Sequence, residues 1–130
     1  MQNIVDNMTS TLVEFPSSGA RALILRFDRS DVVWCGLSSQ PPTLPHLLAC
    51  MKSKWDESGA SSTAFLRTEG CGSTEAAEGM AKRIVASLSK DGEERPLRTL
   101  FLCSALPEGN LLLQQQVEKE LKEHLRRHRR

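Results

Sequence analysis

Through its first half the chain places apolar residues in short runs that fit strands, and in its second half two stretches switch to helical spacing. Ala20 to Phe27 and Asp31 to Leu37 are the clearest strand segments, and the polar Asp28-Arg29-Ser30-Asp31 between them predicts a hairpin. With Arg29 and Ser30 as the loop, Phe27 faces Val32 and Leu25 faces Trp34. Alternation then puts Leu23, Leu25, Phe27, Val32 and Trp34 on one side. The other side carries Ala22, Ile24, Val33, Cys35 and Leu37, with Arg26 among them. Both sides are apolar, whereas a sheet with one solvated face shows a polar side. Each side of this pair therefore needs a cover.

Further elements follow from the same reading. Thr11 to Phe15 predicts a short strand, set off by the turn cluster Pro16 to Gly19. Ser38 to Pro45 predicts a loop. Leu47 to Trp55 fits a helical stripe through Leu47, Leu48, Met51 and Trp55 but is short enough to be a strand, and periodicity alone does not decide. Ser62 to Leu66 predicts a brief strand, and Leu97 to Leu106 another. A helix is predicted after Thr74, with Ser73 or Thr74 as cap, Glu75 and Glu78 in its first turn, and a stripe of Ala77, Met80, Ala81, Ile84 and Leu88. A last helix is predicted from Leu111 to Arg127, capped by Asn110, with Leu113, Val117, Leu121 and Leu125 inward. Glu118 with Lys122 and Glu123 with Arg127 are i,i+4 pairs expected on its outer side.

Strands followed by strand–helix–strand–helix predict an α+β domain with a mainly antiparallel sheet and two helices. Two helices cover one face. The other stays open and calls for a partner, as large apolar patches do. At 130 residues one domain is expected: a flexible N-terminus over 1–10, the folded unit over 11–126 and a basic tip over 127–130. The bulkier face, with Leu23, Leu25, Phe27, Val32 and Trp34, is the expected partner surface, and Trp55 is a further aromatic anchor candidate.

Composition narrows the chemistry. A formal net charge of +1 gives no long-range field for nucleic acid or membrane, and the Arg-rich end has no aromatic to stack a base. No apolar run approaches the ~20 residues of a membrane-spanning helix, and the N-terminus lacks the order of a signal peptide. Cys35, Cys50, Cys71 and Cys103 form no CxxC pair and have no histidine at zinc spacing. Reduced thiols point to the cytosol or nucleus. A thiol nucleophile at Cys71 or Cys103 would need one of His46, His124 or His128 in reach, and the spacing supports no such dyad. Glu69 to Thr74 lacks the glycine and lysine spacing of a phosphate loop and carries repelling acids. His124 and His128 are ringed by arginines, which oppose a cation. No enzyme, no cofactor and no metal is expected.

Six segments, in order, carry a family resemblance: Arg26 to Gly36, Leu47 to Asp56, Ser62 to Leu66, Gly79 to Ile84, Leu100 to Ser104 and Val117 to Glu123. Together they resemble the proteasome assembly chaperone 4 family, with its Trp-x-Gly strand end, Leu-Ala-x-Met-x-Ser stretch, Gly-Leu-Ala-x-Arg helix, Phe-x-Ser strand and closing Val-Glu helix. The resemblance spans about residues 20–125. Gln40 to Leu44 and Gly92 to Arg98 are built differently, and the first strand matches poorly. The resemblance implies that Leu47 to Ser53 is a strand. It implies a heterodimer with a related small chaperone, number 3 of the series. It also implies binding to α-type subunits of the 20S proteasome during α-ring formation, followed by release. A homodimeric interaction scaffold of similar plan, and a small thiol enzyme, are the alternatives.

Overall fold

The computed structural model describes residues 9–52, 60–68, 74–89, 99–107 and 109–127. The elements run β1 (Thr9–Phe15), β2 (Ala20–Arg26), β3 (Ser30–Leu37), β4 (His46–Lys52), β5 (Ala60–Arg67), α1 (Glu75–Ser89), β6 (Thr99–Ser104) and α2 (Leu111–Arg127). The strands form one sheet in the order β1-β2-β3-β6-β4-β5. Every neighbouring pair is antiparallel except β3 with β6, which is parallel. The α+β class and the two-helix plan are as the sequence predicts, and β4 is the strand that the resemblance implied.

Local chemistry explains the boundaries. Gly19 closes the β1–β2 turn at φ 72°, a left-handed conformation that glycine adopts without a Cβ penalty. Thr74 opens α1, its carbonyl accepting from the Glu78 N–H and its hydroxyl donating to the Glu78 carboxylate at 2.6 Å. Asn110 caps α2 as predicted, its Oδ1 accepting from the Leu113 N–H at 3.1 Å.

Three expectations change. β1 begins at Thr9 rather than Thr11, because Thr9 and Ser10 pair with Arg26 and Leu25. The β2–β3 register is Leu25 with Val32 and Leu23 with Trp34, two residues from the predicted pairing. The cause is the turn: the Phe27 N–H bonds to Ser30 O at 2.8 Å, and Arg26 pairs with Asp31 at 2.9 Å, so the loop is Asp28–Arg29, one position earlier than predicted, and the register slips by two. A two-residue slip keeps every side chain on its predicted face. Finally, Glu118 is not on an outer face. It is 7% exposed and turned toward α1, where Arg83 reaches it.

Both helices lie on the face of small residues. Ala20, Ala22, Ile24, Val33, Cys35, Leu48, Cys50, Leu100 and Leu102 are buried there against Met80, Ile84, Val117, Leu121 and Leu125. α1 packs over β4, β5 and β6. α2 is tied to the β1–β2 side, where Ser17 bonds Glu120 and Gln116, and Arg26 donates to Leu125 O at 3.2 Å. Arg26, the one charged residue predicted on this face, is thus satisfied twice: by the buried Asp31 and by a carbonyl at the α2 C-terminus, where a cation is favoured.

Candidate functional site: an uncovered sheet face and its strap

The ladder places Leu12, Leu23, Leu25, Val32, Trp34, Phe101, Leu47, Ala49 and Met51 together on the face away from the helices. Among the described residues no element covers this face as the helices cover the other. Leu12 is 63% exposed, Met51 45%, Leu66 43% and Leu23 38%, while Leu25, Val32, Trp34 and Phe101 are half-buried by one another. Apolar surface of this extent is the kind that marks a protein interface.

Of the six residues proposed from sequence, Leu23, Leu25, Val32 and Trp34 are brought together as adjacent cross-strand pairs. Phe27 lies past the end of β2, in the turn. Trp55 lies outside the described residues. Sequence reasoning missed the contribution of β4 and β6. Phe101, Leu47, Ala49 and Met51 join the face only because β6 inserts between β3 and β4, a pairing between distant parts of the chain that leaves no local signal.

A strap borders one end of the face. The Trp34 indole N–H donates to Thr43 O at 2.7 Å, and Arg21 lies over the same ring at 5.7 Å while donating to Gln40 O at 2.9 Å. These contacts hold the segment 38–45 against the sheet. Between strap and strands lies a cavity of about 410 Å³, with Leu12, Leu23, Trp34, Pro42 and Leu44 in its lining. The indole can lie flat because residue 36 is glycine. A Cβ there would sit 2.8 Å from the Trp34 ring.

The candidate chemical groups are enclosed. Cys35, Cys50 and Cys103 are free thiols at 1% exposure or less. Burial pushes the Cys35 thiol up to about 12 and the Cys50 thiol to about 11, away from the nucleophilic thiolate form. His46 is buried with its Nε2 accepting from the Ser104 N–H at 3.1 Å, which requires the neutral ring. Burial, with Arg67 nearby, holds its pKa below the usual value, against the opposing pull of Glu78. The two residues discussed with these groups, Cys71 and His128, lie outside the described residues. No cluster of three or more metal-ligating side chains occurs among the described residues, and no helix there is long and apolar enough to cross a membrane.

The comparisons belong with this geometry. No family model and no curated protein matches the chain. Among solved structures, the chain is similar to one from the crystal structure of a novel chaperone complex for yeast 20S proteasome assembly. The match has a TM-score of 0.52 and 15% identity, and covers 91% of this chain and 96% of that one. At that identity the likeness is one of fold, and it extends over nearly the whole of both chains.

Proposed function

We propose that this chain is a proteasome assembly chaperone. It pairs across its open sheet face with a related small chaperone as a heterodimer. The pair binds α-type subunits of the 20S proteasome, promotes formation of the α-ring, and then dissociates. It acts in the cytosol, with the nucleus as a second compartment, and uses no catalysis, cofactor or metal. The observation that carries this reading is the fold shared over 91% of this chain with a chain of a proteasome-assembly chaperone complex, combined with an apolar face that the chain's own helices leave open.

The physical case is one of area and of differential binding. Six strands about 4.8 Å apart and about six residues long give a face of roughly 24 Å by 20 Å in projection. A projection of roughly 480 Å² is more than half of the ~800 Å² per partner of a standard interface. A chaperone of this kind needs only to bind one arrangement of subunits more tightly than others, and to lose that surface to a later subunit. The same face supports a homodimeric scaffold as the second reading. Light scattering on the purified chain separates them, because an obligate heterodimer subunit stays monomeric or aggregates alone.

Capture of the tagged chain from its native cells, read by mass spectrometry, is the test. A second small chaperone together with α-subunits and few mature β-subunits is expected. The double variant Leu25→Asp, Trp34→Asp, checked for retained helix by circular dichroism, should lose the small chaperone. Retained pairing in a folded double variant sinks the sheet-face assignment. A capture free of proteasome chains sinks the assembly role.

A further inference from the structure

A second concave surface lies on the helical side of the molecule. Arg83 pairs with Glu118, and Ser87 accepts from Arg126, so contacting positions rise together along both helices and α1 and α2 run in the same direction. The groove between them has a volume of about 610 Å³. Its floor is the Glu118 carboxylate, which accepts from Arg83 Nε at 2.9 and 3.0 Å and meets Lys122 Nζ at 2.9 Å. Burial alone would raise this carboxyl. The bonds from Arg83 and Lys122 outweigh it and hold the group below its ordinary value. One buried carboxylate thus answers two cations, and Lys119 adds a third on the exposed wall. The other acid in the lining, Glu75, stands at the α1 N-terminus. At the same end Leu111 is 64% exposed, and Leu112 beside it is 75% exposed, although their helix has a complete apolar stripe without them.

We propose that this groove is a second docking surface, for an acidic segment of a client protein that carries an apolar side chain to meet Leu111. The proposal rests on the chaperone reading for the identity of the client. The surplus of positive charge selects an acidic occupant, and the exposed leucine selects an apolar side chain within it. Along α2 the lining runs from Leu111 to Lys122, about 16 Å, room for roughly five extended residues. Because the groove and the open sheet face lie on opposite sides of the sheet, partner and client bind without competing. A nucleic acid fits the groove less well: two carboxylates line it and no aromatic does.

The probe is a fluorescein-labelled peptide, Glu-Glu-Leu-Glu-Glu, titrated by anisotropy against the full chain, co-purified with its partner where the pair is needed for solubility. Saturable binding that weakens with salt is expected. Lys119→Glu and Leu111→Ser, both on exposed positions, should each weaken it by about fivefold, and Arg29→Ser in the exposed β2–β3 turn, outside both surfaces, should not. The groove proposal is overturned by absent binding, by unchanged binding in both variants, by equal binding of a Lys-Lys-Leu-Lys-Lys peptide, or by tighter binding of a ten-nucleotide single-stranded DNA. Cell capture separates the two readings. Variants that lose the peptide but retain α-subunits overturn the client role of the groove and leave the chaperone reading standing. A groove that binds the peptide in a chain that captures no α-subunits supports the groove and removes only the chaperone reading.

Discussion

The two faces of the sheet come from the same strands, yet they are built to different specifications. On the helical face the side chains are small near the β1–β2 side, with Ala20 and Ala22 fully buried, and each charged or polar intruder has a defined partner. Arg26 has Asp31 and a helix carbonyl, and His46 has the Ser104 N–H. On the open face the side chains are larger, Leu23, Leu25, Val32, Trp34 and Phe101, and among the described residues the strap at one end is what touches them from above. Small residues let helix backbones approach the sheet, so that face is completed within the chain. The larger residues on the opposite face are left partly exposed by the described elements. The contrast makes a direct forecast, since burial completed within the chain contributes to its own stability and the open face contributes only on association.

The largest effect tests the helical face. Leu102 is fully buried at the centre of the sheet, between β3 and β4. Leu102→Ala removes its contacts and leaves a cavity, so denaturant unfolding should show a loss of about 4 kcal/mol. Leu23→Ala on the other face should cost less than about 1 kcal/mol in the chain alone, because 38% of Leu23 is already in water. Equal losses would mean that the two faces do not differ as described.

A smaller effect follows from His46. Its folded pKa is depressed, by burial first and then by Arg67, with Glu78 opposing. The unfolded chain therefore takes up the proton at higher pH than the folded chain. The stabilisation is complete above the usual value of 6.5 and is lost as pH falls below it. One such group changes stability by at most about 1.4 kcal/mol per pH unit. His46→Gln keeps an acceptor for the Ser104 N–H and removes the titration. Urea midpoints of this variant between pH 6.5 and 5 should fall less steeply than those of the native chain. Parallel slopes would show that His46 does not titrate in this window.

How much of this was legible beforehand depends on the range of the interaction. The two faces of the hairpin, the caps at Thr74 and Asn110, and the stripe Leu113, Val117, Leu121 and Leu125 rest on contacts a few residues apart, and the amino-acid pattern carries them. The β2–β3 register was not legible, because a turn bond from Phe27 to Ser30 and the Arg26–Asp31 pair fixed it rather than alternation. The i,i+4 spacing predicts the Glu118–Lys122 pair but not its burial. Arg83, on the other helix, sets its true position. Leu47, Leu48 and Met51 satisfy helix and strand spacing alike, and the decision comes from the β5 and β6 ladders on either side. Half of the open face, contributed by β4 and β6, follows from that same non-local pairing. The strap was visible only as a loop, since its anchor is one indole N–H and a carbonyl nine residues away.

The smallest effect on stability, and the finest test of the contrast, sits at Gly36. An alanine Cβ there would lie 2.8 Å from two ring atoms of Trp34 and 3.4 Å from the Ala105 Cβ. The indole is the movable party, so in Gly36→Ala it lifts from the strand and its N–H leaves Thr43 O. One exposed hydrogen bond is lost and the core behind β3 is untouched, so the chain alone should lose about 0.5 kcal/mol. The shape of the open face changes far more, because Trp34 walls the cavity under the strap. Partner affinity should therefore fall by more than the stability does, with calorimetric titration against the partner set beside denaturant unfolding of the chain. If stability falls by several kcal/mol, Trp34 belongs to the chain's own core. If neither quantity moves, the indole and its strap play no part in the face that the partner meets.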